Sequence, residues 1–319
     1  MAAAGADGLA SGGFLAAFAL ILGASNLQIG IMTAIPFIVQ PLQILAVVTV
    51  ERIRMRKIIA VTAHLVAYTM WIPIGMIPFL MDVPNPGAMT VLLFFIALRG
   101  MANAFVNTAW SGWMRDIVPQ GALGKFFAQR LRAATIVAAI TAILAAIYID
   151  WWKQSGPADP IFGYAYAMIF GSVIFGFTAV SFMARIPEPA MAEPEGKRLS
   201  ITASLGAPFR DSNYRQLIKF TFAFNFVAHL AVPFFTVYML VKLSMPLTLV
   251  VVLGVFSPLC NIVFLRGWSP FVDQYGSKVV LSLCSSLYVL VIVGWTFTAL
   301  PETHGVTIPL LVGLHMLMG

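Results

Sequence analysis

The chain has 319 residues, of which 60% are hydrophobic and only 10% charged, with a mean hydropathy of +0.92 and a formal net charge of +7. A water-soluble domain carries about 25% charged residues, so this chain cannot cover a fully solvated surface, and lipid must meet much of it. Its two cysteines, Cys260 and Cys284, lie in apolar runs; they form neither a disulfide framework nor a zinc site and read as small buried hydrophobes.

Crossing about 30 Å of hydrocarbon takes a helix of roughly 20 apolar residues. By that measure the sequence predicts spans over 8–24, 28–50, 58–80, 89–112, 131–149, 162–184, 217–240, 247–265, 279–299 and 307–319. The fold class is therefore all-α and polytopic. The opening MAAAGADGLASGG has Asp7 and no Lys or Arg ahead of its apolar run. A signal peptide would begin with basic residues, so this stretch reads as a first transmembrane helix lacking its opening turns. The last run is still apolar where it stops at Gly319, as expected of a span cut short.

All of the 19 Lys and Arg except Lys153, Lys242 and Arg99 fall in the loops after even-numbered spans or at the flanking ends of those loops, on one side of the membrane. The positive-inside rule makes that side, and the N-terminus, cytoplasmic. The chain is expected in a bacterial cytoplasmic (inner) membrane, and the asymmetry accounts for its basic character without nucleic acid as a partner. One loop differs from the rest. Residues 186–216, PEPAMAEPEGKRLSITASLGAPFRDSNYRQL, are polar, Pro-rich and of mixed charge, the composition of a linker. Within it and beyond, Leu199 to Phe220 fits a short amphipathic helix on the membrane surface. The domain reading is a six-helix bundle over 1–185, a cytoplasmic linker over 186–216 and a partial second bundle of about four helices over 217–319.

Short charged turns follow the second and eighth spans, at the same place in each half. One runs Glu51-Arg52-Ile53-Arg54-Met55-Arg56-Lys57; the other runs Asp273-Gln274-Tyr275-Gly276-Ser277-Lys278. An acid opens each and a cation stands five residues later, and Asp273 lies 222 residues after Glu51. This repeat resembles the major facilitator superfamily, whose halves carry an acid-basic-x-Gly-basic-basic turn there. Arg54 stands in place of the glycine in the first copy, and Ser269 replaces a glycine usual before the second. Asp116-Ile117-Val118-Pro119 with Gly124-Lys125-Phe126-Phe127, after the fourth span, and Leu22 to Gly30, after the first, are also similar to that family. The resemblance implies two six-helix bundles that rock about a central cavity. It further implies a cytoplasmic gate in which Arg52 or Arg56 pairs with Asp116 when the cavity faces outward. Glu51, Asp273 and Lys278 belong to the same gate by this resemblance, the second-half acidic partner lying beyond the tenth span.

Charged groups at membrane depth are costly and mark function by default. Arg99 is the clear case, and Asn103 and Asn107 follow at i+4 and i+8, drifting only about 40° per step around the helix. Asn225 and His229 form a second i, i+4 pair in the seventh span. These five are the candidate substrate-cavity residues; Gln40, Gln43 and Asn261 are weaker ones. No Asp or Glu falls well inside a predicted span, so the midplane Arg99 has no evident carboxylate partner and is free to meet an anionic solute. The resemblance offers an Arg-x-x-x-Gly signature here, of which only the arginine is present. The fifth span, Ala133 to Tyr148, has no Gly or Pro, against the drug–proton antiporter class of that family.

A membrane enzyme would need a motif, and neither His-Glu-x-x-His, Gly-x-Ser-x-Gly nor a Gly-Lys-Ser/Thr phosphate loop occurs. Channel features, charged rings or a filter loop, are also lacking. The sequence predicts a transporter of a small solute working by alternating access, with no metal or other cofactor. Its partners are the solute, the lipid bilayer and, left open, a coupling proton or ion. The alternative is a membrane scaffold or degenerate fragment that binds without transport.

Overall fold

A computed structural model describes residues 1–9, 12–156, 159–191, 209–299 and 305–319. Its elements in chain order are α1 (Ala2–Gly8), α2 (Gly13–Ile21), α3 (Asn26–Ile38), α4 (Leu42–Ile53), α5 (Arg56–Thr69), α6 (Trp71–Leu80) and α7 (Pro86–Ile117). Then come α8 (Leu123–Ser155), α9 (Pro160–Phe170), α10 (Phe177–Arg185), α11 (Ser212–Val237), α12 (Leu247–Tyr275), α13 (Ser277–Trp295) and α14 (Thr307–Met318). Among the described residues eight helical stretches are long and apolar enough to cross a membrane, and nine if α1 and α2, bent by 41°, count as one span.

Local chemistry sets the ends. Ser25 and Gln28 form a reciprocal capping box at the start of α3. Asn85, Asp159 and Asp211 each accept first-turn N–H groups of the helices that follow them. Pro86 and Pro160 occupy first helical positions, where the missing N–H is no loss. Two π-helical segments interrupt the regular ladder, Gly171–Gly176 between α9 and α10 and Tyr238–Lys242 after α11.

Three boundaries differ from the sequence reading. The first span is not one helix over 8–24: it starts at Ala2 and breaks between α1 and α2. Helices α7 and α8 run well past 89–112 and 131–149, because a helix continues beyond the hydrocarbon wherever water can solvate its polar end; Arg130 and Arg132 are exposed there. Residues Ser212–Phe220 are the first turns of α11 rather than part of a separate surface helix, and 199–208 lie outside the described residues.

We call the membrane side bearing the loops after α4, α7, α10 and α12 the basic side, and the other the far side. Phe94, Leu144, Val263 and Leu290 are more than half exposed, which for apolar residues at this depth means contact with lipid. Helix pairs in lipid gain little from hydrophobicity and associate through close packing of small residues. Gly8 on α8, Gly75 on α9 and Gly176 on α5 serve this purpose: a Cβ at any of them would collide with the facing helix. The largest core joins α2, α3, α6, α7, α8 and α9 around Phe14, Phe18, Met89, Leu92 and Tyr164, and it takes in Leu247 and Val251 from α12. A second core, around Met239, Leu253, Val291 and Trp295, belongs to the later helices. The two halves therefore meet chiefly near the far side, where α12 begins.

Candidate functional site

Break α1 from α2 and the short α1 sits at mid-membrane depth, packed on α8. This puts Asp7 opposite Arg99 of α7, and Arg99 Nη2 donates to Asp7 Oδ1 at 2.6 Å. The sequence reading of Arg99 as a cation without a carboxylate partner is thereby corrected. Asp7 was missed because seven residues from the chain start it reads as a helix edge. The guanidinium also lies 4.7 Å from the centroid of the Trp71 ring, a cation–π contact. Around the pair, Tyr68 Oη donates to Ala3 O at 3.0 Å and Ser172 Oγ donates to Tyr68 O at 2.7 Å. His64, one turn before Tyr68, packs edge-on against its ring at 4.7 Å. Among the described residues neither His64 ring nitrogen has a hydrogen-bond partner, which makes it a second polar group at this depth that the sequence did not single out.

The pair lies on the wall of a cavity of about 800 Å³. Helices α2, α3, α4, α6, α7 and α11 line it, so both halves contribute. On the basic side of the pair its wall is amide-rich, with Asn103, Asn107, Gln40 and Gln43; beyond the pair it is apolar, with Leu15, Ala16, Met32 and Ile96. Val232, Pro233 and Thr236 of α11 close the opposite wall. Gln43 donates to Gln40, whereas Asn103 and Asn107 make no hydrogen bond among the described residues and keep their amides free. Arg99, Asn103 and Asn107 thus share one surface, as their helical spacing requires.

The whole chain, residues 1–319, matches the Major Facilitator Superfamily. The chain belongs to that superfamily. Comparison with curated proteins returned no match. Superfamily members are membrane transporters, and the multi-pass helical architecture described above is that of an integral membrane protein.

Asn225 and His229 do not reach the Arg99 cavity. They line a separate groove of about 630 Å³ between α3 and α11, with Gly30, Ala34, Phe37 and Phe222. One polar atom of each is engaged on its own helix: Asn225 Nδ2 donates to Thr221 O at 2.8 Å, and His229 Nδ1 is 2.9 Å from Asn225 O. The His229 ring meets Phe37 edge-on at 4.5 Å. Thr33 and Phe37 line both spaces and form the partition between them. Asn261 is also engaged, donating to Gly319 O at 2.8 Å.

At the basic side, Arg56 rather than Arg52 reaches Asp116. The buried Arg56 guanidinium pairs with the Asp116 carboxylate through Nη2 and donates from Nη1 to Gly112 O at 2.7 Å. Both partners belong to the first half, so this pair ties α5 to α7 and does not by itself bridge the two halves. Glu51, Arg52, Asp273 and Lys278 are exposed and make no ion pair among the described residues. The residues just after α10 dock on the same corner: Trp113 Nε1 donates to Pro187 O, Lys57 N to Glu188 Oε1 and Arg54 Nη2 to Met191 O, at 2.9–3.0 Å. Arg54, in the position where superfamily members carry glycine, has φ +57°, and its counterpart Gly276 has φ +79°. The turn needs a left-handed residue in both copies, which glycine supplies without strain.

Proposed function

We propose that this superfamily member carries a small polar solute across the membrane by alternating access, with Asp7 and Arg99 at the centre of the solute and coupling site. The observation that supports this reading is the charged pair at membrane depth on the wall of a cavity to which both halves contribute. Ionisable residues there are held at a free-energy cost and mark substrate or proton paths. Since Asp7 compensates Arg99, the site has no net charge to offer an anion. The solute it fits is uncharged or zwitterionic and bonds to the Asn103 and Asn107 amides. Asp7 has one carboxylate oxygen outside the bond to Arg99, a position from which it can take up a proton and loosen the pair.

The basic side is the cytoplasm on this reading, and the cavity, amide-lined toward that side and sealed by the joined core beyond the pair, corresponds to a cytoplasm-facing state. The Arg56–Asp116 pair is formed in this same state, so on this reading it does not mark an outward-facing cavity as the resemblance implied; with the docked residues 187–191 it acts as an anchor for the segment after α10.

The test is solute counterflow in proteoliposomes containing the full-length protein. Candidate neutral and zwitterionic solutes come first from a thermal-shift panel. Saturable counterflow that is lost in Arg99→Gln, with the variant still folded, is the expected result. A scaffold that only binds would give thermal shifts and no counterflow, and retention of counterflow in Arg99→Gln would remove the pair from the site.

A further inference from the structure

Helix α12 begins without a cap of its own, because its N-cap residue is Pro246 and no side chain near it in sequence accepts its first N–H groups. Those groups are nevertheless satisfied. Asp150, near the far-side end of α8, accepts from Thr248 N through Oδ2 at 2.8 Å and from Leu247 N through Oδ1 at 3.2 Å. One carboxylate thus holds the first two amides of a helix that lies 97 and 98 residues away and in the other half. A carboxylate on a helix N-terminus also meets the positive end of the helix dipole, and hydrogen bonds to a charged acceptor are stronger than neutral ones. Leu247, whose amide is held, is fully buried in the core that joins the halves.

Toward the basic side the same two helices part. A void of about 350 Å³ separates Thr135, Ala138 and Ala142 of α8 from Val250, Gly254 and Pro258 of α12. The halves are consequently pinned at one end of this interface and slack further along it. The charged group nearest Asp150 on its own helix, Lys153, points its ammonium at the Tyr164 ring, 5.7 Å from the centroid, and leaves the carboxylate to the amides.

We propose that Asp150 is a positioning residue that latches the far side shut, and that its grip on the first turn of α12 must break before the cavity opens outward. The proposal rests on the alternating-access reading above. Unlike a salt bridge, this latch has a charged side chain on one half only, with backbone amides on the other.

Two variants break it from opposite sides. Asp150→Asn removes the charge and turns one acceptor into a donor. Thr248→Pro removes one amide while leaving Asp150 in place, at a first-turn position that tolerates proline. In full-length protein with Cys260 and Cys284 replaced by serine, spin labels at Ser155 and Val241 report the far side. A second pair at Gln120 and Tyr275 reports the basic side. Each variant is expected to raise the ratio of far-side-open to far-side-closed populations on the order of tenfold, with a reciprocal shortening between the basic-side labels. The combined variant should do little more than either alone. A frayed α12 would broaden the far-side distances and leave the basic side unmoved, and that outcome overturns the latch. A wild-type chain with two far-side distances whose ratio neither variant alters also overturns it. A wild-type chain with one fixed far-side distance, with and without a counterflow-active solute, overturns the alternating-access reading beneath it.

Discussion

At the residue scale the site is governed by the pairing of two charges where neither would be stable alone. Removing one partner of a fully buried pair costs about 3–5 kcal/mol, because the other is left uncompensated. Here the Arg99 side chain is 21% exposed and that of Asp7 48%, so water in the cavity screens part of that loss. Asp7→Asn or Arg99→Gln alone should destabilise the protein by about 1–3 kcal/mol. The double variant should return most of the way to wild type, a coupling of the size seen between contacting groups, about 0.5–3 kcal/mol. Thermal unfolding of the four proteins in detergent closes the cycle; additive losses would mean that the pair does not couple. Function should separate from stability, since the double variant restores neither the cation nor the titratable carboxylate. Arg99 with Asn103 and Asn107 was legible in the sequence because their side chains follow the helical repeat along one face of α7. Asp7 was not, because Gly12-Gly13 marks a break without saying at what depth α1 is then seated, and His64 was not, because a lone histidine in an apolar span gives no pattern. Asn225 and His229 have the right spacing, but the rotation of α11 about its axis decides which neighbour they face, and that rotation is a tertiary property.

At the element scale, the position of Asp7 is inherited from the seating of α1 on α8. Gly8, the next residue, permits that seating: a Cβ there would overlap Thr141 Oγ1 and the backbone oxygen of Ala138. A backbone oxygen cannot rotate away as a long side chain can, so α1 itself must move. Gly8→Ala is therefore expected to destabilise by about 1–3 kcal/mol, the range for overpacking a tight contact. It should also impair counterflow by drawing Asp7 off Arg99, although it changes no charge and no cavity-lining residue. Combining Gly8→Ala with Asp7→Asn tests the coupling: once the carboxylate is gone, shifting α1 should have little further effect on counterflow. Equal fractional losses in both backgrounds would show that Gly8 acts on something other than the pair. The same small-residue logic explains why element positions were readable in the sequence while their contacts were not. Gly8, Gly75 and Gly176 are indistinguishable from other glycines until the facing helix is known.

At the scale of the whole molecule, the charge asymmetry of the loops, the joined core at the far side and the amide-lined wall on the basic side all bear on one question, which compartment the cavity faces. The loops answer for orientation: the turn at Gln120–Ala122 lies on the basic side and the end of α8 at Ser155 on the far side. If the basic side is cytoplasmic, Gly121→Cys should react with a membrane-impermeant thiol reagent only from the cytoplasmic face of the membrane. Ser155→Cys should react only from the outside, both in a background with Cys260 and Cys284 replaced by serine. The cavity then supplies the conformational half of the test. Asn107 is about 12 Å nearer the basic side than Arg99 along α7, on the amide-lined wall, so Asn107→Cys should be modified from the cytoplasmic face. Leu15→Cys, beyond the pair and beneath the joined core, should resist the reagent from outside until the latch at Asp150 is broken. Solute that drives counterflow should slow modification at Asn107→Cys by occupying the space in front of it. With Gly121→Cys and Ser155→Cys labelled as expected, labelling of Asn107→Cys from the outside alone would mean that the cavity faces outward. Labelling from both faces would mean that the cavity opens to each in turn, whereas a steady conductance of small ions across the proteoliposome membrane would point to a continuous pore, which alternating access forbids.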